Sequence, residues 1–90
     1  MNEKQELVPG WEKSNDRLCR NFVFADFRCA FSFMSKVAEL AEMVNHHPNW
    51  SNVYNQVAIE LTSHDAGNTV SEKDIEMALA INRIDAPSGL

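Results

Sequence analysis

From Phe27 to Val44 the chain carries neither glycine nor proline, and its apolar residues recur at helical spacing. They fall at Phe27, Ala30, Phe31, Met34, Val37, Ala38, Ala41 and Val44, and Phe33 and Leu40 widen the stripe. At about 100° per residue the apolar arc covers roughly half the circumference, more than a surface helix needs. One sheet face absorbs part of that arc. Burial against a sheet and also against a second subunit accounts for the excess better. Arg28, Ser32, Lys36 and Glu39 supply the polar side, Asp26 is placed to cap the start, and Pro48 forbids continuation.

What flanks this helix reads as strand. Trp11 to Ser14 and Arg17 to Phe24 form a hairpin around the turn residues Asn15-Asp16. After Pro48, Ser51 to Tyr54 is a short strand and Asn55-Gln56 its turn. Val57, Ile59 and Leu61 then alternate with Ala58, Glu60 and Thr62, the pattern of a strand with one buried face. Residues His64 to Asn68 are a loop. Ser71-Glu72-Lys73-Asp74 matches a capping box, and Ile75, Ala78, Leu79 and Ile81 carry a second helix to about Arg83. The expected fold is α+β, ordered β-β-α-β-β-α. A four-stranded antiparallel sheet carries two main helices on one face. Residues 1–9 read as an N-terminal arm, 10–85 as a single domain and 86–90 as a tail.

Composition narrows the function classes. The net charge is -5, and the eight basic residues are scattered rather than clustered. Direct nucleic-acid binding and an anionic-membrane patch are therefore not expected. MNEKQELVPG lacks the apolar core of a signal peptide, and no apolar run approaches the ~20 residues that span a bilayer. The expected location is cytoplasmic, with the nucleus as a second possibility. Cys19 and Cys29 lack Cys-x-x-Cys spacing and read as two small buried side chains.

All three histidines lie between positions 46 and 64. Imidazole titrates near neutrality, so it can give or take a proton at working pH. His46 and His47 follow the end of the long helix, where a histidine can also simply satisfy free carbonyls. Zinc binding is an alternative, although adjacent histidines need not converge on one ion. Glu42, one helical turn before His46, can orient it. Asp65 stands beside His64 and can do the same, or close a loop turn. Asp74 suits helix capping. Trp50 and Tyr54 can cover a flat heterocycle or belong to the core. There is no phosphate-binding glycine loop and no nucleophile elbow.

Glu42-x-x-x-His46-His47-Pro48, followed by Tyr54, His64 and Asp74, resembles the signature of the pterin-4a-carbinolamine dehydratases. Trp50-Ser51-Asn52-Val53-Tyr54-Asn55, Thr62-Ser63-His64-Asp65, Ser71-Glu72-Lys73-Asp74-Ile75, Trp11 and Phe22-x-Phe24-x-Asp26-Phe27 are similar to that family too, over about residues 10 to 84. Family members often carry a fuller N-terminal helix. The resemblance implies dehydration of a 4a-hydroxytetrahydropterin to quinonoid dihydropterin and water, in tetrahydrobiopterin recycling. No metal or cofactor is implied. His46 and His64 would form the acid–base pair, with His47 as a third catalytic histidine that binds and orients the pterin and can share in proton transfer. Glu42 would position His46, Trp50 would line the pocket, and Asp74 would hold the second helix start near the site. The implied partners are the pterin, a homodimer or homotetramer of the chain, and functionally an aromatic amino-acid hydroxylase. Some members also bind a transcription factor, so an interaction module is the alternative class.

Overall fold

A computed structural model of the protein describes residues 8–63, 67 and 69–88; of residues 85–88 it describes the backbone alone. Its elements are β1 (Glu12–Ser14), β2 (Arg17–Val23), α1 (Phe27–Val44), β3 (Asn49–Val53), β4 (Gln56–Leu61) and α2 (Glu72–Ser88). The order is β-β-α-β-β-α, as expected. The strands make one antiparallel sheet in the order β1-β2-β4-β3, so each hairpin contributes one central and one edge strand.

The alternation in β4 decides which face is covered. Val57, Ile59 and Leu61 are buried, and the register sets them beside Phe22, Arg20 and Leu18 of β2. Trp50 of β3 pairs with Ile59 and therefore lies on the same inner face. Both helices pack there. Ala30, Phe33, Val37 and Ala41 of α1 meet Met77, Ala78 and Ile81 of α2 and the strand residues in one core. Phe33 stands at its centre, its ring 4.8 Å from that of Phe22 and 5.0 Å from that of Phe24.

The first hairpin turns at Asn15-Asp16 as expected, with φ of 53° and 62°. Two left-handed residues make the type of turn that matches strand twist, and Asn and Asp tolerate that region. The second turn lies one residue earlier than expected, at Tyr54-Asn55. Its anchor is Asn52, whose side-chain amide donates to the carbonyls of Tyr54 at 3.1 Å and Gln56 at 2.9 Å. Asn55 is held separately by donating to the Phe24 carbonyl at 2.8 Å. Tyr54 consequently takes a φ of 51°.

Three further expectations are corrected. The reading of 1–9 as a loose arm fails at its end. Val8 is buried in the core, and the Asn82 side chain donates to the Pro9 carbonyl at 2.9 Å; residues 1–7 lie outside the described residues. The second helix continues past Arg83 to Ser88. Cys19 is half-buried on the outer face of β2 and Cys29 is exposed on α1, so the cysteines are not both interior.

Candidate active site

The end of α1 sets the geometry. Helix α1 stops at Val44 because Asn45 turns left-handed, with a φ of 55°, and its N–H returns to the Ala41 carbonyl. His46 N also donates to Ala41 O, at 3.1 Å. Asparagine is one of the few residues that take this conformation at little cost. The stop therefore precedes Pro48, which only forbids re-entry into helix. His46 and His47 lie beyond the helix, and helical spacing no longer relates them to Glu42.

That explains a change of partners. Glu42 was expected to orient His46. Instead Glu42 Oε2 lies 2.8 Å from His47 Nε2, both side chains being well exposed. His46 turns the other way, and its Nε2 lies 2.6 Å from Asp74 Oδ1. The His46 side chain is 14% exposed and Asp74 is fully buried. The two adjacent imidazoles thus serve different carboxylates in different environments.

Asp74 stands on the first turn of α2. Its Oδ2 accepts from the N–H of Ser71, the residue before the helix, at 2.9 Å, the back-bond of a capping box. Oδ2 also accepts from the hydroxyl of Ser63, just after β4, at 2.7 Å. Ser63 is fully buried and its N–H donates to the Thr69 carbonyl at 3.0 Å. Neither Ser63 nor Asn45 was singled out as functional. The Asn-in-αL stop has a weak sequence signal, whereas Ser63 finds its partner Asp74 eleven residues further along the chain, beyond the reach of local pattern.

Trp50 is half-buried against the core on the inner face. Tyr54 is exposed at the hairpin tip, the opposite end of β3 from His46 and His47. His46 also lines a cleft of about 160 Å³ between the helices, with Leu40, Val44, Met77 and Ala80 as its apolar wall. His64 and Asp65 lie outside the described residues. Among the described residues, no group of three or more His, Cys, Asp or Glu side chains gathers as a metal ligand set. Both thiols are held toward the protonated form: burial pushes Cys19 up, and the hydrogen bond to Asp26 does so for Cys29. Neither has the lowered pKa of an activated nucleophile. The chemistry this arrangement offers is proton transfer by an imidazole whose far nitrogen is tied to a buried carboxylate.

Comparison with known proteins identifies the family. The profile of the family described as Pterin 4 alpha carbinolamine dehydratase matches residues 1–84. A provisionally named pterin-4-alpha-carbinolamine dehydratase of Synechococcus sp. (strain WH7803) is 52% identical over 77 residues, 86% of this chain and 82% of the relative. One of the same provisional name from Rhodopseudomonas palustris (strain HaA2) is 46% identical over 87 residues, covering 94% and 85%. Among solved structures, a transcriptional coactivator/pterin dehydratase from Brucella melitensis superposes with a TM-score of 0.86 at 43% identity, covering 93% of this chain and 90% of that one. A pterin dehydratase-like protein identified as a RuBisCO assembly factor in the alpha-carboxysome shares the fold. Its TM-score is 0.74 at 20% identity, with 89% and 94% covered. The chain belongs to the pterin-4-alpha-carbinolamine dehydratase family.

Proposed function

We propose that the protein dehydrates a 4a-hydroxytetrahydropterin to quinonoid dihydropterin and water by histidine acid–base catalysis, as a step in tetrahydrobiopterin recycling. The observation that carries this reading is the pairing of His46 with the buried Asp74 at 2.6 Å in a member of this family. Hydroxide leaves poorly, so the 4a-oxygen takes a proton from an acid as its bond to carbon breaks. A base removes a proton from a ring nitrogen, and the two transfers together release water. Neither step changes oxidation state. His46, aligned by Asp74, is one partner; His64 is the other by the family signature. His47, paired with Glu42 on the exposed side, orients the pterin, and Trp50 packs beside it.

The homo-oligomer and cytoplasmic operation belong to the same proposal. Phe27 and Phe31 stack with centroids 5.7 Å apart on the side of α1 away from the core, and they are 48% and 54% exposed. An apolar face of that kind favours a second copy. The same face supports a second reading, an interaction module for another protein, which the double name of the Brucella melitensis relative favours.

Purified protein is expected to accelerate dehydration of a 4a-hydroxypterin without added metal, and EDTA to leave the rate unchanged. Abolition by EDTA, with zinc co-purifying in stoichiometric amount, would replace this reading with metal chemistry. A catalytically dead variant that keeps its cellular role would favour the interaction module.

A further inference from the structure

We propose that Ser63 is a positioning residue for His46, acting through Asp74. The argument is one of hydrogen-bond direction. A carboxylate only accepts, and a backbone N–H only donates. Asp74 Oδ2 is held by the Ser71 N–H at 2.9 Å and by the Ser63 hydroxyl at 2.7 Å. The Ser63 and Ser71 hydroxyls are themselves 2.7 Å apart, and each has a single proton. The Ser63 proton is committed to Asp74. The Ser71 hydroxyl, 3.4 Å from Oδ2, therefore gives its proton to Ser63 Oγ. The hydrogens run one way, from Ser71 through Ser63 to Asp74.

The consequence falls on His46. With Oδ2 occupied by donors, Oδ1 faces Nε2 at 2.6 Å, so Nε2 carries the hydrogen and Nδ1 the lone pair in the neutral ring. The Ser71 N–H is a capping contact at the start of α2 and fixes Asp74 only relative to its own helix. Ser63 adds a bond from the end of β4, the strand antiparallel to β3. It fixes the carboxylate relative to the sheet, and so relative to the chain that runs from His46 through Pro48 into β3. Ser63 is fully buried, so no water replaces the lost donor cheaply.

The inference rests on the dehydratase reading for its kinetic arm alone. The test uses the full chain as Ser63→Ala, Ser63→Cys and Ser63→Thr. Cysteine keeps the volume with only a weak donor, and threonine keeps the hydroxyl. In wild type, the Nε2 proton of His46, assigned by its loss in His46→Gln, is expected as a far-downfield, slowly exchanging proton NMR resonance, the mark of a short charge-assisted bond. Ala and Cys are expected to move it upfield or lose it to exchange, and Thr to restore it. The dehydration assay is expected to show kcat lower by on the order of 10-fold in Ala and Cys with KM little changed, as when outer groups that orient a functional histidine are removed. A folded Cys variant with the wild-type resonance would overturn the proposal, and so would a wild type lacking that resonance. Folded Thr and Cys variants equally impaired would overturn it too, by making the role one of packing. A protein with no dehydratase activity but with the predicted resonances would refute the function and leave the positioning intact.

Discussion

Asp74 and Glu42 each pair with a histidine, and burial separates what the two pairs contribute. Asp74 is wholly inside, and its removal strands the Ser63 hydroxyl and the Ser71 N–H. Asp74→Ala is expected to cost about 1–3 kcal/mol of stability, the range for orphaned buried donors. Glu42 is 80% exposed and His47 56%. Glu42→Ala is expected to change stability by less than about 1 kcal/mol, as for other surface ion pairs. Urea denaturation of both variants checks the contrast; equal losses would contradict it. All four residues stood out in the sequence, because histidines and carboxylates near a helix stop are visible as residue types. Their pairing was not legible. It depends on whether the backbone continues as helix through Asn45, and one left-handed residue sends His46 toward α2 and leaves His47 to Glu42. Ser63 was illegible for a different reason: its partners lie 8 and 11 residues further along the chain, and local pattern does not register contacts of that kind.

At the level of elements, the core of the chain takes only part of the wide apolar arc of helix α1. Ala30, Phe33, Val37 and Ala41 are buried while Phe27, Phe31, Ala38 and Val44 are exposed. Spacing revealed the width of the arc but not its division, and Phe33, read as widening the stripe, is the centre of the core. Phe33→Ala is expected to cost about 3–5 kcal/mol, measured by denaturant unfolding. The start of α1 carries a pH signature. Asp26 Oδ1 accepts from the Cys29 N–H at 2.8 Å, and that bond holds its carboxyl below the usual range. A pKa lowered on folding contributes stability that is present above the unfolded value near 4 and lost as pH falls through the folded one. Asp26→Ala is therefore expected to lower Tm at pH 7, with the difference from wild type shrinking below pH 4. Asp26→Asn, which still caps, is expected to stay near wild type. A penalty for Ala that is constant with pH would contradict the ionised cap. The strands were the most legible elements, since alternation in β4 and the Asn-Asp turn act locally. The one-residue shift of the second turn came from Asn52, whose side chain bonds the backbone in a way that strand patterning does not encode.

Across the whole molecule, one hydrophobic core orients β4, α1 and α2 so that the end of α1, the residues after β4 and the start of α2 meet at Asp74. A chain of 10.2 kDa with an exposed aromatic pair on α1 is expected to give light-scattering masses of two or four chains, and Phe27→Ser with Phe31→Ser to reduce that number while circular dichroism is unchanged. A wild-type mass of one chain would contradict the self-association. The fold was legible from local spacing and the family from the signature intervals, of whose residues His46 and Asp74 meet here. The chemistry proposed at the convergence is proton transfer, and one measurement addresses it most directly: dehydration of a 4a-hydroxytetrahydropterin by wild type and His46→Ala, with circular dichroism on both. The account predicts a clear acceleration by wild type and a fall of about 100-fold or more in the folded variant. Equal rates with and without wild-type protein, or a folded His46→Ala as fast as wild type, would contradict it.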